Sequence, residues 1–406
     1  MFEILYHENR KMERAEKAFI DVCPFFGYDA PIPDGQQSHM KRAPDFLFAV
    51  SGRTNHLLSG GDPVQHRITT PGPLHDEKGR LVETGYATEL IKTYDRLRVA
   101  ANRMRIKEWD YYAVCCDRFA FALTIDHNGY MTMDSISLLD FEENFQVTAS
   151  KMSVPFLSKR SLPATSERGN IRVSGKGYEM AFDNDGVVRH LYGRMDPFSG
   201  EKAVSFDLTL TDAPKESMVI ITPYRDHPKA FYYNQKINCI RVSGIITYGD
   251  REYTCTPEDT FAVLDWGRGV WTYDNTWYWG SASGLVGGVP FGFNIGYGFG
   301  DTSAASENVL FVDGKIHKLS QVRFHIPEKD GQPDYLSPWT FSSDDGRFEL
   351  KFEPLMDRSA KINAGIICSD QHQVFGRFSG TVVTDDGRRL EISRLTGFAE
   401  KVRNKW

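Results

Sequence analysis

Three stretches of this 406-residue chain place proton-transferring side chains where a strand ordinarily carries apolar ones. In the first, Asp265 follows the apolar run Phe261-Ala262-Val263-Leu264 and precedes Trp266-Gly267-Arg268-Gly269. A carboxylate beside an arginine at a strand end either caps a turn or belongs to an acid/base site whose ionisation its surroundings tune. In the second, Gly300 to Asn308 (GDTSAASEN) leads into Val309-Leu310-Phe311-Val312, so Glu307 and Asn308 stand just outside a strand, on opposite faces. They either close a local loop network or act as a general acid or base and an amide that orients substrate. The third, Ser369-Asp370-Gln371-His372-Gln373-Val374-Phe375-Gly376, puts His372 and Val374 on one face and Gln371, Gln373 and Phe375 on the other. Such polar groups in a strand need partners if buried. His372 is either a satisfied structural histidine or a proton carrier, because imidazole titrates near neutrality. Glu400, in Gly397-Phe398-Ala399-Glu400, is either a solvated charge or a further member of the set.

These groups have to be held against something, and the stretch Leu264 to Asn308 supplies it. From Phe291 to Gly300 the odd positions are Phe, Phe, Ile, Tyr and Phe, and the even ones Gly, Asn, Gly, Gly and Gly. Period-two alternation of this kind predicts a strand with one aromatic face and one nearly bare backbone face. A two-residue turn at Gly287-Gly288 would pair it with the preceding strand, setting Trp279 opposite Gly296 and Trp277 opposite Gly298. Ser281 then falls opposite Asn294, and Tyr278 opposite Tyr297 on the other face. Indole rings covering strand glycines let a sheet bend into a barrel; alternatively the same face is a ligand wall, apolar with a few placed polar groups.

Composition excludes several classes. Lys and Arg number 48 against 54 Asp and Glu, a formal charge of -6, and basic residues form only isolated pairs such as Lys41-Arg42 and Arg388-Arg389, so no nucleic-acid partner is expected. The first residues lack the apolar core of a signal peptide, and no later run reaches the uncharged length of a membrane span. A cytoplasmic protein is expected, with a homodimer left open. The six cysteines form no CxxC pair and read as reduced and mostly buried. There is no HExxH, no HxH and no Cys/His ligand spacing, so no metal is expected. Gly296-Tyr297-Gly298-Phe299-Gly300 lacks the Lys-Ser/Thr and helix of a phosphate loop, and Gly280 to Gly284 places Ala282 where a nucleophile elbow needs serine. No cofactor is expected.

Residues 2 to 20 read as a modest amphipathic helix, and residues 24 to 80 are rich in Pro and Gly. Ile91 to Arg105 reads as one helix. Beyond it the chain is a succession of short strands between Asp/Asn-Gly turns, at Asn128-Gly129, Asp185-Gly186, Asp313-Gly314, Asp345-Gly346 and Asp386-Gly387. This pattern predicts an all-β protein of antiparallel barrels or sandwiches. The expected divisions are an N-terminal helical and irregular arm (1–64), a first β domain (65–262) and a second (263–406).

The blocks LDWGRGVWTYDNTWYWGSASG, FGFNIGYGFGDTSAASEN, SDQHQVFG and GFAEKV resemble, from about Gln65 to Trp406, a bacterial family known only as a domain of unknown function. More distantly, Ser243 to Gly249, Tyr253, Leu264-Asp265-Trp266-Gly267 and Trp277-Tyr278-Trp279 are similar to the AttH-like and carotenoid hydratase superfamily. That similarity implies two tandem lipocalin-like antiparallel β-barrels with a ligand site near their junction. It matches Asp265 to the family's aspartate and Trp277 and Trp279 to its paired tryptophans; the histidine that follows the family's aspartate is absent, since Trp266 comes directly after Asp265.

The expected function is a cofactor-independent acid/base enzyme of hydratase, isomerase or lyase type. Asp265 would be the acid, and Glu307 or His372 a second proton-transfer group. Arg268, Asn308 and Gln373 would orient the ligand, with Trp277, Tyr278, Trp279, Asn294, Asp370 and Glu400 completing its site. The ligand is a small molecule, lipid, isoprenoid or sugar-like. A non-catalytic carrier of a hydrophobic molecule needs the cavity without the titrating groups, and a carbohydrate-acting enzyme would use the carboxylates beside the tryptophan platforms.

Overall fold

A computed structural model describes residues 65–154, 160–364 and 367–405, within a compact unit that spans Gln65–Trp406. The helix expected at residues 2 to 20 lies outside the described residues. Among those described there is no α-helix, and no helix is long and apolar enough to cross a membrane. Two large antiparallel sheets make the body.

The main path of the first sheet runs in the order 145–153, 132–140, 119–127, 106–115, 261–270, 231–248, 202–211, 189–199, 178–184 and 169–175. It curls until distant strands meet across its interior: Phe121 packs edge-on to Phe206 with ring centres 5.3 Å apart, and the Tyr253 hydroxyl donates to Asp140 Oδ2 at 3.0 Å. The strand Phe231–Tyr248 is long enough to serve both halves of the sheet. Its register against Phe261–Val270 slips between Ile237 and Ile240, where Cys239 takes φ 60°. Such a bulge bends a strand and strengthens its twist.

Strand Phe261–Val270 is inserted between 231–248 and 106–115. Both its faces are buried, which explains its unbroken burial pattern despite Asp265 and Arg268. The expected domain boundary at 262/263 falls within this strand. The chain leaves the first sheet at Val270 and enters the second at Asp274.

The second sheet has the order 315–318, 309–312, 289–297, 274–286, 389–405, 367–383, 348–364, 339–343 and 322–325. It too curls, because Phe324 on its last strand packs edge-on to Tyr297 at 5.5 Å and Tyr278 at 5.7 Å. Its interior core includes Phe293, Trp339, Phe341, Phe352, Val374 and Phe378. The expected hairpin register is observed: Tyr278 faces Tyr297, Trp279 faces Gly296, Ser281 faces Asn294 and Val286 faces Val289. Gly287 and Gly288 turn it with φ 60° and 80°, both in the left-handed region that such a two-residue turn requires.

One local expectation is overturned. Ile91 to Arg105 is a short strand, Lys92–Thr93, followed by two separate 3-10 turns at Arg96–Arg98 and Arg103–Arg105. The Asp95 side chain accepts from Leu97 N and that of Asn102 from Met104 N, so each starts its own turn. Neither turn buries a residue, which leaves no apolar face to extend it into a helix.

A buried charge in the first sheet gives a pH-dependent expectation. Asp126 is buried on the strand Phe119–His127, accepting from Met133 N at 2.7 Å, and burial pushes its carboxyl up to about 7. Between its ordinary value of 3.8 and about 7, the folded state keeps a proton that the unfolded chain releases. Stability therefore falls as pH rises through that window, and the whole cost is present above it. Asp126→Asn is neutral throughout, so at pH 8 it should stabilise by on the order of 2 kcal/mol, an advantage that vanishes near pH 4. Thermal melts of both proteins at three pH values check the sign; equal shifts at all three would contradict it.

Candidate functional site

The two sheets pack face to face, and polar side chains collect where they meet. On the first sheet, alternation sends Tyr232, Asn234 and Lys236 of one strand to the same face as Asp265 of the next and Trp109 and Tyr111 of the third. Register puts Lys236 opposite Asp265, and Asp265 opposite Tyr111. Lys236 Nζ lies 2.9 Å from Asp265 Oδ1, and Asn234 Nδ2 donates to the same oxygen at 2.5 Å. The ammonium also sits 3.9 Å from the centre of the Trp279 ring, which arrives from the second sheet. With a side chain only 1% exposed, Lys236 has exchanged its water for a carboxylate and an aromatic face.

The loop after strand Val289–Tyr297 brings Glu307 to this cluster. Lys318 Nζ donates to the carbonyls of Ser306 and Asn308 at 2.6 and 2.8 Å, gripping the backbone on both sides of Glu307. The Tyr232 hydroxyl donates to Glu307 Oε2 at 3.2 Å, whereas Oε1 is buried without a hydrogen-bond partner. Glycine at 296 creates the room: a Cβ there would meet Glu307 Oε1 at 2.5 Å and the Phe299 ring at 3.1 Å. The bare face predicted from the sequence is therefore occupied by a carboxyl and a phenyl ring. The indole of Trp279 is directed elsewhere, donating from Nε1 to Asn294 Oδ1 at 2.7 Å, while Asn294 Nδ2 donates to the Glu307 carbonyl at 3.0 Å.

A second carboxyl adjoins. Glu400 takes hydrogen bonds from Trp277 Nε1 at 2.9 Å and Gln373 Nε2 at 2.8 Å, and Gln373 Oε1 accepts from Tyr111 of the first sheet at 3.1 Å. Aromatic rings close the remaining sides: Trp271 meets Trp277 at 4.8 Å, and Tyr232 stacks on Phe299 at 4.8 Å.

Burial is the main force on both glutamates. Glu307, 2% exposed, is held above the usual carboxylate range by desolvation, with Lys236 pulling it down and Asp265 pushing it up. Glu400, 7% exposed, is likewise raised by desolvation, against hydrogen bonds from Trp277 and Gln373 and the charges of Arg358 and Lys236. Desolvation also drives the Tyr232 phenol well above its ordinary value, reinforced by Glu307 and Asp265. The arrangement is a buried Lys-Asp pair flanked by two carboxyls that burial holds above their ordinary range.

Of the residues singled out in the sequence, Asp265, Trp279, Asn294 and Glu307 share one cluster, and Trp277, Gln373 and Glu400 adjoin it. Arg268 does not join them. Lying three positions after Asp265 on one strand, it points to the opposite face, where it is wholly buried and donates to Asp110 Oδ1 at 3.0 Å and the Trp109 carbonyl at 2.8 Å. Asn308 neighbours Glu307 but is a strut: its Oδ1 accepts from Gly296 N at 2.7 Å and its Nδ2 donates to the Ser320 carbonyl at 2.9 Å. Tyr278, His372 and Asp370 belong to the other face of the second sheet. Tyr278 stacks on Tyr297 at 4.5 Å. His372 stacks on Tyr335 at 3.8 Å, with Nδ1 2.7 Å from Asp357 Oδ2 and Nε2 3.5 Å from Asp370 Oδ1. Sequence reasoning missed Lys236, Asn234 and Tyr232, although a lysine inside the apolar strand FYYNQKINC was itself a signal.

Residues 65–406 match the family described as "Domain of unknown function (DUF2804)". The chain belongs to that family. No curated protein matches it. Among solved structures, this DUF2804 chain is similar to an AttH protein of Nitrosomonas europaea, at 16% identity over 76% of this chain and 97% of that one, with a TM-score of 0.48. It is similar to CghA in complex with Sch210972, at 10% identity over 82% and 97%, TM-score 0.43. It is also similar to the kievitone hydratase of Nectria haematococca, at 11% identity over 82% and 98%, TM-score 0.41. No group of three or more metal-ligating side chains occurs among the described residues.

Proposed function

We propose that this protein is a cofactor-independent acid/base enzyme of the hydratase, isomerase or lyase type, acting on a small molecule held between the two sheets against Trp277 and Trp279. The observation that carries the reading is the Glu307 carboxyl. It is buried, burial raises it above its ordinary range, Tyr232 donates to one oxygen, and the other makes no hydrogen bond of normal geometry although the Asn294 amide lies near enough to act on the carboxyl. A buried polar atom without a partner is costly, and a functional site is the usual place to find one.

In this reading Glu307 gives its proton to a carbon of a polarised double bond. The carboxylate left behind is stabilised by the Tyr232 hydroxyl and by Lys236, whose charge already acts on it. Asp265 neutralises Lys236 in the resting state and is the group positioned to take a proton from water or from a second carbon. Asp265 is thus given the accepting role in this reading, where the sequence alone suggested the donating one, on the ground of its 2.9 Å contact with the Lys236 ammonium. Glu400, raised by burial and accepting from Trp277 and Gln373, is the second carboxyl of the site. His372, on the opposite face of its sheet, takes no part.

The test begins with native mass spectrometry of the purified protein and identification of any small molecule it releases, or of the first member of a panel of unsaturated lipids, isoprenoids and sugars that it retains. That molecule is then incubated with the protein in D2O. The wild type should introduce deuterium at carbon, and Glu307→Gln should slow this on the order of a hundredfold or more while still retaining the molecule. Retention by the wild type without any exchange would make the protein a carrier. Undiminished exchange by the variant would remove Glu307 from the chemistry.

A further inference from the structure

On strand Phe348–Ala364 the register against Ile367–Val383 slips by one residue between Pro354 and Met356. The extra residue reverses the alternation. Phe352 lies in the interior core of the second sheet, yet Met356, at the same parity, lies in the core shared with the first sheet. Arg358 follows Met356 onto that face, while Asp357 turns inward to His372. Bulges re-aim side chains in this way, often next to active sites.

What the bulge delivers to the junction is a guanidinium that forms no ion pair among the described residues, although its charge acts on Glu400. Arg358 Nη1 donates to Ser137 Oγ at 2.8 Å, and its guanidinium carbon lies 5.9 Å from the centre of the Tyr111 ring. Its hydrogen bond among the described residues runs through Nη1 alone. The side chain is half-buried. Around it are hydroxyls: Thr148 donates to Ser137 at 2.8 Å and Ser150 to Ser135 at 3.1 Å, with Thr148 and Ser150 exposed and both partners buried. Behind it the Tyr111 hydroxyl leads through Gln373 to Glu400. A hollow of about 10 Å³ between the sheets, room for no more than a water, is lined by Ala113, Cys115, Val263 and Phe398, and the charge of Arg358 acts on the Cys115 thiol.

We propose that Arg358 anchors the carboxylate of an amphipathic substrate, whose apolar part enters between the sheets toward Trp277 and Glu400. The inference rests on the reading of the junction as a substrate site, and it names the class of molecule that site takes. The free edge of a guanidinium offers two parallel N–H groups in the spacing of a carboxylate, a match that a neutral hydroxyl or an ester cannot reproduce. The exposed hydroxyl face supplies a wet entrance for the charged end, and the aromatic lining a dry one for the tail.

Calorimetric titration with decanoate, and with 1-decanol and methyl decanoate as neutral counterparts, tests this without requiring turnover. The wild type should bind decanoate at least tenfold more tightly than either neutral compound. Arg358→Met should lose that tenfold preference and keep its affinity for decanol, whereas Arg358→Lys, which keeps the charge but not the fork, should fall between. Thermal melts of both variants confirm that they fold. Equal affinity of the wild type for decanoate and decanol, unchanged decanoate affinity in Arg358→Met, or no binding of any of the three overturns the proposal. Because the titration reads binding alone, an Arg358-dependent preference together with absent deuterium exchange would leave the carboxylate site standing and sink only the catalytic reading.

Discussion

Replacing Lys236 with methionine should destabilise the protein by about 3–5 kcal/mol, the loss expected when one partner of a buried ion pair is removed. Lys236 is 1% exposed and Asp265 10% exposed at the side chain, so neither is supported by bulk water. Without the ammonium, Asp265 keeps the Asn234 amide but faces the buried Glu307 carboxyl, with which it already interacts unfavourably. The cation over Trp279 is also lost, a contact worth up to about 2 kcal/mol when desolvated. The uncompensated charge dominates, and a second variant separates the two contributions. Lys236→Met combined with Asp265→Leu removes both charges and should recover most of the loss, since well-packed apolar pairs substitute for buried ion pairs at little net cost. Urea denaturation gives both values. A loss under about 1 kcal/mol in the single variant would mean that water reaches Asp265 once the lysine is gone.

The difference between what the sequence disclosed and what it did not follows from how far apart the partners lie. The hairpin of Trp279 and Gly296 was legible because period two and a Gly-Gly turn are local properties, and together they fix which residues face each other. The parity of His372 and Gln373 was legible for the same reason. That Asp265 and Arg268 lie on opposite faces was also written in their spacing, although their nearness in sequence suggested a pair. Lys236 was hidden. It meets Asp265 only because strand 261–270 inserts between 231–248 and 106–115, a non-local choice that no window of sequence displays. Arg358 was hidden by the slip between Pro354 and Met356, after which counting alternate residues from Phe352 gives the wrong face. The helix expected over Ile91 to Arg105 failed for a local reason, the two competing caps at Asp95 and Asn102.

Gly296→Ala is the smallest change that should disable the junction. A Cβ at this position would lie 2.5 Å from Glu307 Oε1, 2.8 Å from the Tyr278 carbonyl and 3.1 Å from the Phe299 ring. The carboxyl is the end of a flexible side chain and can give way. The Tyr278 carbonyl belongs to the backbone of the neighbouring strand and cannot move without disturbing its pairing with Tyr297. The methyl group therefore displaces Glu307 first, and the remaining overlap should cost roughly 1–3 kcal/mol, as overpacking of a close-packed core does. Moving the carboxyl breaks its contact with Tyr232, so deuterium exchange should fall by on the order of a hundredfold or more, the size of a lost general acid. The two effects separate with a compensating change. Gly296→Ala combined with Phe299→Leu frees space beside the new methyl without restoring the carboxyl to its place, so stability should partly return and exchange should not. Recovery of both together would show that Glu307 tolerates the displacement and that the bare strand face serves packing alone.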